Sequence, residues 1–148
     1  MTLVDEVQPR DANERTVLGY FRHMKRKQWD EFGELWNDDA VQQAFFRPDG
    51  LDNFIPERFV GREPILAHYR KAIANRREHE FWIDVLHRTE DPDIFVVECR
   101  GRSVVGENDR VYENRYVFIF ELRDGRIAYL KEYADPLPVM RAFSGAFD

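Results

Sequence analysis

Glu132 and His68 are the two side chains of this sequence whose types and settings best suit proton transfer on a bound molecule. Glu132 lies in a β-prone, largely apolar stretch, where a carboxylate must be exposed, paired with a cation or placed inside a cavity. In an apolar cavity, desolvation would raise the pKa of Glu132 into the range useful to an acid or base at neutral pH. Histidine changes charge near neutral pH, and a carboxylate can orient it or share a proton transfer with it. We therefore expect an acid–base pair if the fold brings both residues to one pocket.

Both residues also have simpler interpretations, which the sequence leaves open. His68 would be a helix-edge residue bonded to the backbone, and Glu132 would be paired with a cation such as Arg115 or Arg70. An adjacent guanidinium would lower the pKa of Glu132 and oppose the effect of burial.

Aromatic side chains are abundant enough to line a ligand pocket. The chain has twelve Phe, six Tyr and three Trp, which favours a fold that surrounds a space with rings. Tyrosine hydroxyls can also donate hydrogen bonds to a ligand oxygen, although packing is the alternative role for each ring. The candidate ligand-binding residues are Tyr20, Trp36, Tyr112, Tyr116 and Phe118.

Composition and motifs argue against several other classes of function. The net charge of −6 argues against a nucleic-acid partner, because phosphate binding requires a basic face. Cys99 is the single cysteine, which rules out an internal disulfide and a cysteine-based zinc cluster. His79, Glu80 and His87 match no compact metal-ligand spacing. Because glycine-rich phosphate loops and dinucleotide fingerprints are also missing, we expect neither a metal nor an organic cofactor.

The length of 148 residues suits one domain with one hydrophobic core. Residues 1–10 are interpreted as a flexible N-terminal arm and residues 11–148 as the single domain. The sequence has no apolar run long enough to span a bilayer and no signal-peptide pattern at its start, so we expect a cytoplasmic protein without a membrane partner.

Hydrophobic periodicity predicts the helices and strands that must position the candidate residues. In the third helix, Ile65, Tyr69 and Ile73 share one apolar arc, and His68 lies at its edge. The order of elements predicts an α+β fold in which helices pack on one face of a curved sheet. The predicted helices are Asp11–Lys27, Trp29–Trp36 and Val60–Arg76; the predicted strands are Ala40–Phe46, Glu80–Arg88, Asp93–Val105 and Arg110–Arg123; and Arg47–Glu57 is a loop.

Two strands carry further information. Asp124-Gly125 is a tight-turn signal, so Glu132 lies on the second strand of a hairpin. The strand before that turn is apolar on both faces over its second half, so both faces should be covered. Helices can cover one of these faces, and a second subunit best explains how the other face is covered. We therefore expect a homodimer. One face of this strand carries Tyr112, Asn114, Tyr116, Phe118, Phe120 and Leu122, and the other carries Val111, Glu113, Arg115, Val117, Ile119 and Glu121.

The order and spacing of these elements resemble the NTF2-like superfamily, and specifically its SnoaL-like branch. The resemblance covers residues 11–143, and its nearest pattern is the PhzA/PhzB family of phenazine biosynthesis. The matching segments are Gly61-Arg62-Glu63, Ala67-His68, Phe95-Val96-Val97-Glu98-Cys99, Tyr112-Glu113-Asn114, Phe120-Glu121-Leu122-Arg123-Asp124-Gly125-Arg126-Ile127, Lys131-Glu132-Tyr133, Asp135-Pro136 and Arg141-Ala142.

The resemblance implies a cone-shaped α+β fold, usually dimeric, with three helices and a strongly curved antiparallel or mixed sheet around a deep apolar pocket. In the phenazine family, a histidine on the third helix and a glutamate on the last strand act as acid and base. They assist the condensation of two amino-oxo-cyclohexene carboxylate molecules into a tricycle. By register these roles fall on His68 and Glu132, whereas the family's serine one turn after the histidine corresponds to Ala72.

We therefore expect a cofactor-independent enzyme of secondary metabolism that acts on a small hydrophobic, cyclic or aromatic metabolite. The reaction would be a cyclisation, condensation or isomerisation by acid–base catalysis. Two alternatives are a non-catalytic binder with the same pocket and an accessory subunit whose partner supplies the activity. A pocket that contains both His68 and Glu132 favours the enzyme. A pocket filled by its own rings, or a Glu132 held by an arginine, favours the alternatives.

Overall fold

The computed structural model describes residues 1–46 and 57–144, so the predicted loop Arg47–Glu57 lies outside the described residues except for Glu57. The described residues form four α-helices and seven strands. The helices are α1 (Ala12–Lys25), α2 (Trp29–Glu34), α3 (Arg62–Ile73) and the short α4 (Pro136–Val139). The strands are β1 (Thr2–Leu3), β2 (Trp36–Phe45), β3 (Arg58–Val60), β4 (Arg76–Arg88), β5 (Ile94–Val105), β6 (Arg110–Arg123) and β7 (Arg126–Ala134).

All seven strands belong to one mixed sheet in the order β1-β4-β5-β6-β7-β2-β3. Neighbouring strands are antiparallel except for β2 and β7, which run parallel. Parallel neighbours need a long connection, and here the intervening chain contains α3 and four strands of the same sheet. The predicted α+β class is confirmed. The parallel pairing matters for function because it places β2 directly beside the strand that carries Glu132.

The helices pack on one face of the sheet and enclose the hydrophobic core. Helix α1 begins after Asp11, whose Oδ1 accepts a hydrogen bond of 2.9 Å from the backbone N–H of Glu14. Its apolar side is buried, and the ring of Phe21 lies 5.3 Å from that of Phe118 on β6 and 5.1 Å from that of Phe81 on β4. These edge-to-face contacts join the helix to the middle of the sheet.

Strand β6 shows the predicted alternation of faces. Every second side chain is buried against the helices, while those between them are exposed or half-buried on the outer face. The hairpin turn that follows is also confirmed: Asp124 and Gly125 have φ values of 54° and 76°, the left-handed region that a two-residue turn requires. The buried side chains are Tyr112, Asn114, Tyr116, Phe118, Phe120 and Leu122.

The N-terminal segment differs from the loose arm that the sequence predicts. Thr2 and Leu3 pair with the edge of β4, and Val4 has no accessible surface. The guanidinium of Arg22 on α1 donates hydrogen bonds to the backbone oxygens of Val4 and Val7. The segment is held in place because its apolar side chain is buried and its backbone pairs with an open edge of the sheet.

Two predicted element boundaries are also wrong, for the same physical reason. Helix α3 ends at Ile73, and Arg76 is the first residue of β4, where it pairs with Val105. Strand β2 begins at Trp36, which pairs with Ile127, so the polar residues after it do not end a helix but continue a strand. In both places sheet pairing with a distant segment outweighs local propensity. The shift of Arg76 from helix to strand brings it into the candidate site.

Candidate functional site

Glu132 faces the space between the sheet and the helices. In the hydrogen-bonded pairing of the strands, the Cα of Glu132 is opposite that of Phe118 on β6 and beside that of Ala44 on β2. Residues directly opposite each other share a face of the sheet, and Phe118 is buried on the helix side. Glu132 is nevertheless only half-buried. Glu132 therefore lies on the helix-facing side of the sheet and keeps part of its surface accessible.

The surroundings of Glu132 hold its carboxyl close to half ionised at neutral pH. Burial raises the pKa of Glu132 from 4.5 to about 7, although the charge of Arg76 and a hydrogen bond from Gln42 act in the opposite direction. That hydrogen bond is long, with 3.5 Å between Gln42 Nε2 and Glu132 Oε2. Gln42 is buried, and its own Oε1 has no hydrogen-bond partner among the described residues. The carboxyl is therefore weakly held and available to a bound molecule.

The arginines proposed from the sequence as partners of Glu132 do not pair with it. Arg70 and Arg115 are both exposed, and within the described residues no ion pair reaches Glu132. Arg76 lies within electrostatic reach without forming a salt bridge. Desolvation therefore exceeds the effect of the nearby cation, which is why the pKa rises.

His68 lies on α3 as an uncharged imidazole. Its ring is half-buried, stacks on that of Phe59 at 4.3 Å, and lies 5.3 Å from that of Tyr69. Burial, followed by the charges of Arg76 and Lys71, lowers the pKa of His68 to about 4. No hydrogen bond joins His68 to Glu132 among the described residues, so the pair predicted from the sequence is not in direct contact.

Two pairs of tyrosines place hydroxyl groups around the carboxyl. The hydroxyls of Tyr20 and Tyr69 share a hydrogen bond of 2.6 Å, and that of Tyr116 donates to Tyr112 at 3.1 Å. Burial raises the pKa of Tyr20, Tyr69 and Tyr116 well above 10, and the charge of Glu132 adds to the effect. All four hydroxyls, including that of Tyr112 whose pKa burial also raises, are therefore protonated at neutral pH. Since Tyr116 donates to Tyr112 and one of Tyr20 and Tyr69 donates to the other, the protons left to donate elsewhere are those of Tyr112 and of one member of the Tyr20–Tyr69 pair.

The other two predicted wall residues occupy the core. Trp36 has no accessible surface and Phe118 retains 2%. Together with Tyr20 and Phe32 they form a cluster of rings in the hydrophobic core, with centroids 5.4 to 6.2 Å apart. Their position is consistent with packing, the alternative role considered for each ring.

Four residues of the site were not selected from the sequence: Gln42, Tyr69, Arg76 and His79. Tyr69 was assigned to the apolar arc of the third helix, and Arg76 to its end. Burial and then the charge of Arg76 lower the pKa of His79 to about 3, and its buried Nδ1 has no hydrogen-bond partner in residues 1–46 and 57–144. The sequence does single out Gln42, because it is a polar residue in the middle of a predicted strand. Nothing in the local sequence indicates that Arg76 turns inward.

Two grooves in the described residues are lined by neither Glu132 nor His68. A groove of about 430 Å³ lies partly on the outer side of the sheet, where Val117 and Tyr133 line it, and a second groove of about 620 Å³ lies beside α4. In residues 1–46 and 57–144, no group of three or more His, Cys, Asp or Glu residues is arranged to hold a metal ion. None of the helices in these ranges is both long and apolar enough to cross a membrane.

Comparison with known proteins agrees with this architecture. Residues 17–130 match the family described as the SnoaL-like domain. The phenazine biosynthesis protein PhzA2 of Pseudomonas aeruginosa is 42% identical over 146 residues, which cover 93% of this chain and 84% of that protein. The crystal structure of PhzB2 from the same organism superposes with a TM-score of 0.74 at 26% identity, covering 95% of this chain and 85% of the other. An NTF2-like protein of Burkholderia pseudomallei has the same fold, with a TM-score of 0.74 at 17% identity over 88% of this chain and 96% of that one.

Proposed function

Since the chain belongs to the SnoaL-like domain family, we propose that it is an enzyme that transfers a proton on a small cyclic or aromatic metabolite, with Glu132 as the acid–base group. One feature of the structure carries this proposal: Glu132 lies opposite the buried Phe118 on the helix-facing side of the sheet, where burial raises its pKa to about 7, and no described residue forms an ion pair with it. General acid–base catalysis is most efficient when the pKa of the group lies near the working pH.

The surroundings of Glu132 suit proton removal from a carbon next to a carbonyl. The carboxylate takes the proton, and the electron pair of the broken C–H bond moves toward the carbonyl oxygen to give an enol or enolate. Of the protonated hydroxyls of Tyr20 and Tyr69, one donates to the other, and the second supplies a donor that stabilises charge on that oxygen. The carboxylic acid then returns the proton at a different carbon, which is an isomerisation. Alternatively, the enol carbon attacks a second carbonyl, which is a cyclisation or a condensation.

We propose that His68 assists as a neutral hydrogen-bonding group on the other side of the substrate. With a pKa of about 4 its imidazole is uncharged at neutral pH, so it polarises or relays a proton rather than acting as a strong acid. Because His68 and Glu132 are not hydrogen-bonded to each other, a substrate would lie between them. The similarity to PhzA2 and PhzB2 favours a carbocyclic substrate and a role in secondary metabolism.

Hydrogen–deuterium exchange on a simple cyclic ketone tests the proposed chemistry. The probe is 3-oxocyclohexanecarboxamide in deuterated buffer, with exchange beside the ketone followed by NMR. We expect Glu132→Gln to lower the enzyme-catalysed rate by about 10²- to 10⁴-fold, the usual contribution of a general base. The wild-type rate should rise with pH through about 7 as Glu132 ionises. Glu107→Gln, which removes an exposed carboxylate from the turn before β6, is the control. Exchange at the wild-type rate in Glu132→Gln would overturn the mechanism.

A non-catalytic small-ligand binder is the second candidate, and ring packing is the observation that favours it. Trp36 and Phe118 fill part of the inner space, which leaves less room for a substrate. The two candidates differ in what Glu132 does. A binder would keep its affinity for a ligand in Glu132→Gln and would show no catalysed exchange in either form, whereas the enzyme would lose exchange and keep its fold.

We also propose that the protein is a homodimer that uses the outer face of the sheet. Phe46 is 69% exposed beside the groove that Val117 and Tyr133 line. Large apolar side chains on one open face of a sheet are typical of an interface. Sedimentation of the wild type should give twice the mass of the chain. Val117→Lys should give the monomer mass with unchanged circular dichroism, and a monomeric wild type would contradict the proposal.

A further inference from the structure

Gln42 is a buried amide at a strand position that would suit an apolar side chain. The residue is 4% exposed, and its Cα lies beside that of Leu130, which has no accessible surface. Gln42 Oε1 is buried and has no hydrogen-bond partner within residues 1–46 and 57–144. An unsatisfied buried acceptor lowers stability, whereas a leucine at this position would leave no polar side-chain atom unpaired. Stability alone therefore does not explain the amide.

The register of the sheet places this amide next to the carboxyl of Glu132. Strand β2 runs parallel to β7, with Gln42 beside Leu130 and Ala44 beside Glu132. Because side chains alternate between faces along a strand, Gln42 and Glu132 lie on the same, helix-facing side. The distance between Gln42 Nε2 and Glu132 Oε2 is 3.5 Å. The amide therefore reaches the proposed acid–base residue from the neighbouring strand.

The same amide acts on the paired tyrosines. Burial raises the pKa of Tyr69 well above 10, and a hydrogen bond from Gln42 acts in the opposite direction. The hydroxyl of Tyr69 shares its hydrogen bond of 2.6 Å with that of Tyr20. Gln42 therefore links the carboxyl of Glu132 to this pair of hydroxyls.

Other charged and titratable groups act on Glu132, or respond to it, from a greater distance. In the described part of the chain, only Gln42 forms a hydrogen bond with this carboxyl. The other groups lie on α1, α3, β4, β5 and β6, and they are Tyr20, Tyr69, Arg76, Cys99, Tyr112 and Tyr116.

An amide can form a hydrogen bond with a carboxyl in either of its protonation states. A carboxylate only accepts hydrogen bonds, and Nε2 of Gln42 donates to it. A carboxylic acid has a hydroxyl that donates, and Oε1 accepts from it once the amide has rotated by about 180° about its terminal bond, which exchanges the positions of nitrogen and oxygen. A lysine or an arginine could pair only with the ionised form. Glutamine therefore suits a carboxyl whose pKa of about 7 leaves both forms present at neutral pH.

We infer that Gln42 is a positioning residue for Glu132, whose amide donates to the carboxylate and, after rotating, accepts from the carboxylic acid. This inference rests on the proposed function, in which Glu132 removes a proton from a carbon and later returns it. The carboxyl keeps one orientation through both steps because its partner changes from donor to acceptor. No proton passes to Gln42, which acts through Glu132 and not on the reacting atoms.

Neutron diffraction distinguishes the amide nitrogen from the oxygen and tests the rotation directly. Crystals of the wild type in heavy water are compared about two pH units below and about two above the pKa of about 7. On the alkaline side, the deuterated Nε2 of Gln42 should face an ionised Glu132. On the acid side, Oε1 should face a deuterated carboxyl. The same amide orientation on both sides would overturn the inference.

Gln42→Met tests the effect of the amide on Glu132. Methionine is similar in length and has no amide, so both forms of the carboxyl lose their hydrogen bond. A hydrogen bond to an ionised group is the stronger one, so the pKa of Glu132 should rise by about half a unit to one unit, as measured by carbon-13 NMR of the carboxyl. The catalysed deuterium exchange of 3-oxocyclohexanecarboxamide, measured above that pKa, should fall by about tenfold because the carboxylate loses its fixed orientation.

Gln43→Met is the matched control, because it removes an amide from the next residue of the same strand. Gln43 is on the opposite face, where its Oε1 accepts a hydrogen bond from the hydroxyl of Tyr129. This variant should leave the pKa of Glu132 and the exchange rate unchanged.

Two results in Gln42→Met would overturn the positioning role. One is a loss of rate without a rise in the pKa of Glu132, which a purely structural role would give. The other is an exchange rate equal to that of the wild type, with or without a change in that pKa. If Gln42→Met does not fold, the diffraction comparison decides, because it needs no substitution.

The positioning role and the proposed function can fail separately. If Gln42→Met keeps the wild-type pKa and rate while Glu132→Gln loses exchange, the positioning role is wrong and the proposed function stands. If the amide rotates with pH and Gln42→Met raises the pKa, but Glu132→Gln keeps full exchange, the pairing of Gln42 with Glu132 stands and the catalytic role of Glu132 is wrong.

Discussion

Replacing Glu132 with Gln should stabilise the folded protein above neutral pH. The unfolded chain releases the Glu132 proton near the ordinary pKa of 4.5, whereas the folded protein retains it until about pH 7. The unfolded state therefore binds fewer protons between these values, and the stability contributed by this group is lost as the pH rises through that window. At about 1.4 kcal/mol for each pKa unit, the loss approaches ~3 kcal/mol above pH 7. Because Glu132 keeps some accessible surface, this is an upper limit.

Glutamine reproduces the shape of the protonated carboxyl and cannot ionise, so the variant escapes this loss. Urea unfolding of wild type and Glu132→Gln should be compared from about pH 4.5 to about pH 8.5. The difference in the free energy of unfolding should be small at the acid end and should grow to about 2–3 kcal/mol in favour of the variant at the alkaline end. Glu107→Gln controls for the loss of one negative charge. A difference that does not change with pH would refute the reasoning, because it would mean that Glu132 ionises alike in both states.

Three further predictions concern the neighbours of the site. Tyr20→Phe should cost about 1–3 kcal/mol of stability by removing the hydrogen bond between the hydroxyls of Tyr20 and Tyr69. Tyr20→Phe and Tyr69→Phe together should cost less than the sum of the two single variants in a double-mutant cycle. The pKa of His68 is about 4 in the folded protein and 6.5 in the unfolded chain, so the stability that this residue contributes is lost as the pH falls below 6.5. In His68→Phe, the decrease in the free energy of unfolding between pH 6.5 and pH 4 should be smaller than in the wild type by up to ~3 kcal/mol. Gly101→Ala should lower the melting temperature and cost about 1–3 kcal/mol, because its Cβ would lie 3.0 Å from the ring of Phe81.

The stability cost at Glu132 is the kind of local conflict expected at a functional site. An apolar cavity favours a neutral group, and a glutamine or a leucine would fit it with less loss of stability. Binding or catalysis gives a reason to keep an ionisable group there. The buried Nε of Arg76, which has no hydrogen-bond partner in the part of the chain that the structure describes, is a second such conflict, and the charge of Arg76 acts on Glu132.

Local sequence patterns predicted the elements whose side chains alternate between core and solvent. The alternation along β6, the turn at Asp124-Gly125 and the strand that carries Glu132 all agree with the structure. These features depend on neighbours within a few residues, and periodicity records which face of a strand is buried. The resemblance to the SnoaL-like branch supplied the arrangement of these elements around one pocket.

The residues that the sequence did not reveal depend on contacts between distant segments. Gln42 reaches Glu132 only because β2 pairs in parallel with β7, and periodicity does not specify which strands are neighbours. Arg76 enters the site because β4 begins earlier than its β propensity indicates and pairs with Val105. The neutral state of His68 is another long-range effect, since burial by surrounding segments sets its pKa.

A direct titration of the Glu132 carboxyl tests the central claim most closely. Carbon-13 NMR of protein labelled at the glutamate side-chain carboxyl follows each group with pH, and the resonance missing from Glu132→Gln identifies the one that matters. The account predicts a midpoint near pH 7 for this carboxyl in the ligand-free protein. A midpoint near the ordinary 4.5 would contradict it, because Glu132 would then be a fully ionised carboxylate at neutral pH with no special fitness as an acid or base.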